Sequence, residues 1–296
     1  MNIQQIRVFA TAASSRTLSE AAEELRLRQP TVSFHLKKLE EELGVELFRK
    51  QLRHFQLTDA GSALLPYARR ISALLDEAEH LMKEHREQGR GKLRIGASYT
   101  PATYFLPSYM RAFQASFPQV MSLLTVKKAG TTLNLLREYE IDVAVVSLRN
   151  VPLDGLHVIP LVPDELKLVM PTDHRLAGMA DLEVDDLRGE PFLVHEPGST
   201  SRELSEAWAR EVGLQWEVRM ELGAIETIKE SIKFNMGIGI LPRRSILREI
   251  ELGELEVRDL PGYVNQRHIC LVYRDEDILA YQVRTFIGFM QSRCQE

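Results

Sequence analysis

At 296 residues, with 44% hydrophobic and 27% charged side chains, the chain is too long for one small domain and has the make-up of an ordinary globular protein, which excludes a disordered or fibrous one. No run approaches the roughly 18 apolar residues of a membrane span, the start MNIQQIRVFATAASSRT lacks a secretion signal, and Cys270 and Cys294 stand without metal spacing, so a cytosolic chain without a disulfide framework or zinc finger is expected. The formal net charge of −5 excludes a uniformly basic nucleic-acid binder, yet Arg26, Arg28, Lys37 and Lys38 fall in a stretch free of acid and Arg49, Lys50 and Arg53 follow.

Three helical patterns open the chain, each with its own start signal. Asn2 with Gln5 has capping-box spacing, and Ile6, Phe9, Ala10 and Ala13 then form an apolar face. Thr17 with Glu20 repeats the signal ahead of Leu18, Ala21, Ala22 and Leu25. Pro30 suits the first turn of a third helix, where its missing amide does no harm; Val32, Leu36, Leu39 and Leu43 make the buried stripe, and Gly44 ends it. Such a trio also suits a plain helical bundle. The outward face of the third helix favours a more specific reading. At about 100° per residue, burying the stripe turns Pro30, Ser33, Phe34 and Lys37 outward with Thr31 and Lys38 beside them, and that face carries no acid before Glu41. Hydroxyls reach base edges or phosphates, lysines neutralise phosphates, and Phe34 can touch a thymine methyl in the major groove. Next, Val45-Glu-Leu-Phe48 and His54-Phe-Gln-Leu57 read as a two-strand wing whose turn presents Arg49, Lys50 and Arg53, and Thr58 with Asp59 caps the following helix.

Residues 1 to about 65 resemble the winged helix-turn-helix of LysR-type transcriptional regulators. The resemblance rests on Leu18-Ser-Glu-Ala-Ala-Glu-Glu-Leu25, Gln29-Pro-Thr-Val-Ser33, Leu39-Glu-Glu-Glu-Leu-Gly44, Leu47-Phe48, Arg53 and Leu57-Thr-Asp-Ala-Gly61, in that order. It implies that Gln29, Pro30, Thr31, Ser33, Phe34 and Lys37 read the groove and that Arg53 makes the wing contact, with Lys38 and Arg49 adding to the basic surface. Two positions depart from the family: Arg28 stands where Ser is usual, and Phe34 where a polar residue is usual.

From Thr58 to about Gln88 a single long helix is expected. Leu64, Ile71 and Ala78 repeat by sevens, Ala60, Tyr67, Leu74 and Leu81 supply the second heptad position, and Ala68, Leu75 and Met82 widen the seam. This face suits a second copy of the chain, or packing within its own domain. Pro66 lies off the seam and should bend the helix. Glu84 to Gly91 reads as a hinge, which sets the expected domains at 1–58, 59–90 and 91–296.

Beyond Gly91, strands and helices alternate, the mark of an α/β fold with a mostly parallel sheet. Strands are expected at Leu93 to Ser98, Leu123 to Val126 and Asp142 to Val146, with helices from Ala102 to Phe117 and on to Tyr139. A second lobe, about 163–266, begins near Leu161-Val-Pro163 and returns near Gln266 to His268 to a first lobe made of about 91–162 and 267–296. Folds of this kind hold ligands where strands meet helix N-termini. Two such places are legible: Ser98-Tyr-Thr100-Pro101, with Thr100 as a cap, and Glu196-Pro-Gly-Ser-Thr-Ser-Arg202, with Thr200 and Glu203 at capping-box spacing. Together they suit a small anion, although each taken singly also reads as a simple cap.

This part resembles the LysR-type effector domain, itself similar to periplasmic solute-binding proteins. Its carriers are Leu93-Arg-Ile-Gly-Ala-Ser98, Leu106-Pro107, Asp142-Val-Ala-Val-Val146, Glu196-Pro-Gly-Ser199 and Gly237-Ile-Gly-Ile-Leu-Pro242. The resemblance implies an effector pocket at Ser98, Thr100, Ser147, Ser199, Thr200, Ser201 and Arg202, and looks closest to regulators of sulfur assimilation or carbon fixation.

The eight histidines do not cluster at metal spacing, and neither Gly-x-Ser-x-Gly, a phosphate-loop lysine motif nor His-Glu-x-x-His occurs. His195-Glu196 beside Ser199 could supply a base and a nucleophile, but the loop reads better as a ligand cap, so no catalytic residue, cofactor or metal is expected. The expectation is a homodimeric or homotetrameric regulator that binds a pseudo-palindromic double-stranded DNA site under control of a small anionic effector. The alternative is a cytosolic small-molecule-binding protein or enzyme whose N-terminal helices only dimerise it.

Overall fold

The computed structural model describes residues 1–51, 54–84, 91–149, 152–179, 181–275 and 279–294. The chain divides into two units, one running from Met1 to Gly91 and the other formed by most of the chain from Lys92 onward.

In the first unit, α1 (Ile3–Ser14), α2 (Leu18–Glu24) and α3 (Gln29–Leu43) precede a hairpin of β1 (Phe48–Gln51) and β2 (His54–Leu57) and the long α4 (Asp59–Glu84). The Asn2 capping box closes in full: Asn2 Oδ1 accepts from Gln5 N at 2.9 Å and Gln5 Oε1 accepts from Asn2 N at 2.6 Å. At α2 only half of the expected box forms. Thr17 Oγ1 accepts from Glu20 N, whereas the Glu20 carboxylate takes the Arg16 amide at 2.7 Å, one residue early. Ile6, Phe9, Val32, Leu36 and Leu39 are buried around an edge-on Phe9–Phe48 contact. Leu43, expected on the buried stripe, is 38% exposed because the last turn of α3 runs past this core.

The wing is an antiparallel pair in which Phe48 faces Leu57. It starts three residues later than Val45, because the Glu40 carboxylate of α3 accepts from the amides of Leu47 (2.7 Å) and Phe48 (3.2 Å) and holds the approach against that helix. Arg49 and Lys50 therefore lie in a strand rather than in the turn; Arg53 and the side chain of Lys50 lie outside the described residues. Thr58 caps α4 by accepting from Gly61 N at 3.0 Å, and a Cβ at Gly61 would overlap the Leu47 carbonyl oxygen. Along α4, Ala60, Leu64 and Ala68 pack on the unit's own core, so the early turns of the expected seam are used internally. Tyr67 (68%), Ile71 and Leu74 remain exposed, while the side chains of Leu81 and Met82 lie outside the described residues, as does all of the expected Glu84 to Gly91 hinge but its two ends, which close α4 and open the next strand.

The second unit holds two five-stranded sheets, each covered by helices, in keeping with the α/β expectation. The first lobe contains β3 (Gly91–Ala97), α5 (Tyr99–Tyr104), α6 (Leu106–Ser116), β4 (Val120–Val126), α7 (Ala129–Arg137), β5 (Val143–Arg149) and β6 (Leu156–Pro163). The second contains β7 (Leu166–Met170), β8 (Pro191–His195), α8 (Thr200–Glu211), β9 (Glu217–Leu222), α9 (Ile225–Lys233), β10 (Ile238–Pro242), α10 (Leu247–Glu251) and β11 (Glu256–Arg258). The chain then returns through β12 (Arg267–Arg274) and α11 (Tyr281–Cys294) to the first lobe. Sheet orders are β4-β3-β5-β12-β6 and β11-β7-β10-β8-β9.

Two expectations are corrected. The sheets are mixed rather than mostly parallel, since β12 runs antiparallel to β5 and β6, and β7 runs antiparallel to β10 and β11. The single helix expected from Ala102 to Phe117 is two helices broken at Phe105, with Pro107 in the first turn of α6. Phe113, Phe286 and Phe289 centre one core; Phe192 and Trp208 centre another, where Trp208 Nε1 donates to the Pro261 carbonyl at 2.9 Å. Among the described residues no helix is long and apolar enough to cross a membrane.

Candidate ligand cleft and nucleic-acid interface

The solvent face of α3 keeps the composition read from the sequence. Gln29, Pro30, Phe34, Lys37 and Lys38 are exposed, and Thr31 and Ser33 are half-buried beside them. Gln29 Nε2 donates to Ser33 Oγ at 3.2 Å, and Lys37 pairs with Glu41 one turn on at 3.7 Å. An exposed i,i+4 pair of this kind is worth only about 0.3–0.5 kcal/mol, so Lys37 is readily released to a phosphate. Arg49 stands 3.7 Å from Asp59, a comparable surface pair. Arg28 is the N-cap of α3 and its side chain makes no cap bond, as expected where Ser is replaced. The turn into α3 is set by Arg26 in the left-handed region (φ 55°), with Leu27 N bonded to the Ala22 carbonyl at 2.8 Å. That geometry fixes the angle at which α3 leaves α2.

In the second unit a cleft of about 530 Å³ opens between the lobes. Ser98, Thr100, Ser147, Ser199, Thr200 and Ser201 all line it. They arrive by local folding: Ser98 and Thr100 where β3 gives way to α5, Ser147 from β5, and Ser199 to Ser201 where α8 begins. Thr100 and Thr200 do not act as caps. Thr200 is the first residue of α8 rather than its cap, and the Glu203 amide bonds to the Ser199 carbonyl at 3.0 Å, so no capping box forms there. The cap residues Ser98 and Ser199 make no side-chain cap bond, and the first-turn amides of α8 are left for another acceptor.

Behind these hydroxyls lies a buried charged network. Ser147 N donates to Ser98 Oγ (3.1 Å), and Ser147 Oγ donates to Asp164 Oδ2 (2.7 Å). Asp164 is fully buried and pairs with Arg267 Nη2 at 2.9 Å; Arg267, only 2% exposed, donates through Nη1 to Ser201 Oγ at 2.9 Å. Arg267 Nε has no partner. His195, at the end of β8, is also buried with Nε2 unpartnered, and burial, then the charges of Arg267 and Arg202, push its pKa down to about 4. It is therefore neutral at pH 7. Arg202, expected in the pocket, does not line it: its guanidinium turns to Glu206 one turn along α8 and to Glu221 of β9, against the Trp216 ring. Arg267 supplies the buried cation instead: it stands at the return expected near Gln266 to His268, but no local pattern in the sequence marks it as a member of the pocket.

Both mouths of the cleft are bridged. Lys128 from the first lobe reaches Glu196 Oε1 and the Pro197 carbonyl of the second, each at 3.0 Å. Tyr104 donates to Glu226, which also pairs with Lys229 at 2.8 Å; Lys229 is buried and pairs again with Glu249 at 2.8 Å. Burial and then the bond to Glu226 raise the Tyr104 pKa, while in Glu226 burial is outweighed by the bonds from Lys229 and Tyr104, which hold its carboxyl below the usual range. The base and nucleophile considered at His195 and Ser199 are not joined, since His195 Nε2 has no hydrogen-bond partner, and Glu196 is held by Lys128. Among the described residues no group of three or more His, Cys, Asp or Glu is placed to hold a metal.

Residues 3–62 match the family described as bacterial regulatory helix-turn-helix protein, lysR family, and residues 86–295 match LysR substrate binding domain. The HTH-type transcriptional regulator CbbR of Rhodospirillum rubrum is 32% identical over 291 residues, covering 98% of this chain and 96% of that one. The RuBisCO operon transcriptional regulator of Allochromatium vinosum is 29% identical over 294 residues, covering 99% and 96%. Among solved structures, full-length OxyR from Pseudomonas aeruginosa shares the fold with a TM-score of 0.81 at 22% identity, covering 100% of this chain and 95% of that one.

Proposed function

Because the chain belongs to the LysR family of transcriptional regulators, we propose that its N-terminal unit reads a pseudo-palindromic double-stranded DNA site and that a small anion in the cleft sets its regulatory state. Gln29, Pro30, Thr31, Ser33, Phe34, Lys37 and Lys38 enter the major groove, and Arg49 and Arg53 follow the backbone beside them. The exposed row Tyr67, Ile71 and Leu74 of α4 receives a second copy, as a two-fold site requires. The protein works in the cytoplasm, where that DNA is, and it is not an enzyme. The Allochromatium vinosum relative, named for the RuBisCO operon, favours carbon-fixation genes as targets over the sulfur-assimilation alternative.

The observation that carries the effector reading is the pair of buried nitrogens left without partners, Arg267 Nε and His195 Nε2, beside the free amides of α8. Buried polar atoms without partners are rare and costly; an anionic oxygen satisfies Arg267 Nε, and also His195 Nε2 in the tautomer that carries the ring proton there. Ser98, Thr100, Ser147 and Ser199 to Ser201 complete the shell, and Arg202 acts from outside it by bracing α8. The anion acts by binding one arrangement of the lobes more tightly than another. Differential scanning fluorimetry against a panel of small carboxylates, sulfate and phosphate esters tests this: at least one should raise the melting temperature of the native chain and fail to do so in Ser199→Ala and His195→Gln. Equal shifts in all three proteins would refute the assignment of the cleft.

A further inference from the structure

Two rows of side chains run along the solvent face of α3. Gln29, Ser33 and Lys37 form the polar row, and its first two members are bonded to each other at 3.2 Å. Pro30, Phe34 and Lys38 form the adjacent row, whose first two members are hydrocarbon. Phe34 is 60% exposed, with its ring edge-on to His35 at 5.7 Å between centroids. The centre of an otherwise basic, hydrogen-bonding face is thus an aromatic ring.

The major-groove edges of the bases offer donors and acceptors at every position and an apolar group at one kind of position, the 5-methyl of thymine. A phenyl ring set over guanine, adenine or cytosine would strip water from polar atoms without replacing their hydrogen bonds. Over thymine it buries hydrocarbon against hydrocarbon. We infer that Phe34 is a specificity-determining residue that selects a thymine at one position of each half-site by packing on its 5-methyl group. The inference rests on α3 being the DNA-contact face. It extends that reading by assigning a base and the atom by which it is recognised.

One methyl withdrawn from such a contact should weaken binding about fourfold per half-site. The test begins with enrichment of duplexes from a random pool by the full-length chain, followed by resynthesis of the selected duplex with deoxyuridine replacing thymidine at single positions. At one position in each half-site uracil should weaken binding about fourfold, and 5-methylcytosine there should bind more tightly than cytosine. Phe34→Ala should still bind, with the thymine-to-uracil ratio reduced to about one, while Phe34→Leu should retain a preference for the methyl group. Phe34 lies outside the core, so both variants should keep the native far-ultraviolet circular dichroism. Equal affinity for thymine and uracil at every position, or an undiminished preference in Phe34→Ala, would overturn this inference alone; a chain that enriches no duplex would overturn the DNA-reading assignment with it.

Discussion

Arg267 and Asp164 show what a buried ion pair does in a ligand cleft. Both are almost wholly removed from water, so their mutual attraction offsets a desolvation cost of several kcal/mol per ion, and neither can be removed singly without stranding the other. Arg267→Met should lower stability by about 3–5 kcal/mol in urea unfolding, and adding Asp164→Leu should restore part of that loss; a double variant no better than the single would show that the pair is not coupled as the geometry implies. His195 carries the complementary prediction for pH. Its folded pKa of about 4 lies below the ordinary 6.5, so the folded state disfavours the charged ring. Stability is full above pH 6.5 and falls as pH drops toward 4, by on the order of 3 kcal/mol from this group. Unfolding free energies compared at pH 7 and pH 4.5 should show that drop shrinking in His195→Gln. At this scale the sequence marked where hydroxyls gather, because strand-to-helix junctions have local signatures. It did not mark Arg267, which reaches Ser201 from far along the chain, and it misdirected Arg202, whose position was legible but whose direction depended on Glu206 and Glu221.

Between residue and molecule, the elements that were legible are those with strong local signals. The three N-terminal helices carry caps or Pro30 at their starts, and their apolar spacing matches the observed core. The break between α5 and α6 was missed because apolar residues continue across Phe105-Leu106, although Pro107 marks a first turn. The strands β6, β7 and β11 carry weak local signals because Pro160 and Pro163 interrupt Leu156 to Pro163, and the other two strands are only five and three residues long. β6 pairs with β12, β7 with β10, and β11 with β7, partners that only the tertiary fold brings near. The heptad of α4 is divided between two uses, since Ala60, Leu64 and Ala68 serve the unit's own core and leave a shorter exposed row. If that row holds a second copy, Tyr67→Glu with Leu74→Lys should shift the chain toward monomer in sedimentation equilibrium at unchanged circular dichroism. An unchanged mass would place the self-association surface elsewhere. Gly61 sets a different constraint on the same helix. With no room for a Cβ against the Leu47 carbonyl, Gly61→Ala should cost about 1–3 kcal/mol by forcing the start of α4 away from the wing.

For the ligand-binding unit as a whole, the question is how a small anion moves two lobes that are already in contact. Lys128 with Glu196 bridges one mouth and Tyr104 with Glu226 the other, and these groups are partly exposed, so each bridge contributes about 1 kcal/mol or less. The closed arrangement rests on these two weak bridges and on the buried Arg267 to Ser201 bond, and an anion with higher affinity for it than for an open arrangement shifts the population toward it. The apparent affinity of the anion is its intrinsic affinity reduced by the fraction of molecules already closed. Tyr104→Phe removes one bridge while keeping the ring, so it lowers that fraction without altering Arg267, His195 or the start of α8. It should therefore weaken the apparent affinity several-fold, up to about fivefold for 1 kcal/mol, and lower the stabilisation given by a fixed excess of anion by the same free energy, about 1 kcal/mol or less. Isothermal titration gives the first quantity and scanning fluorimetry the second. An unaltered affinity would mean that the bridge is spectator to closure and that the anion organises the lobes through the cleft floor alone.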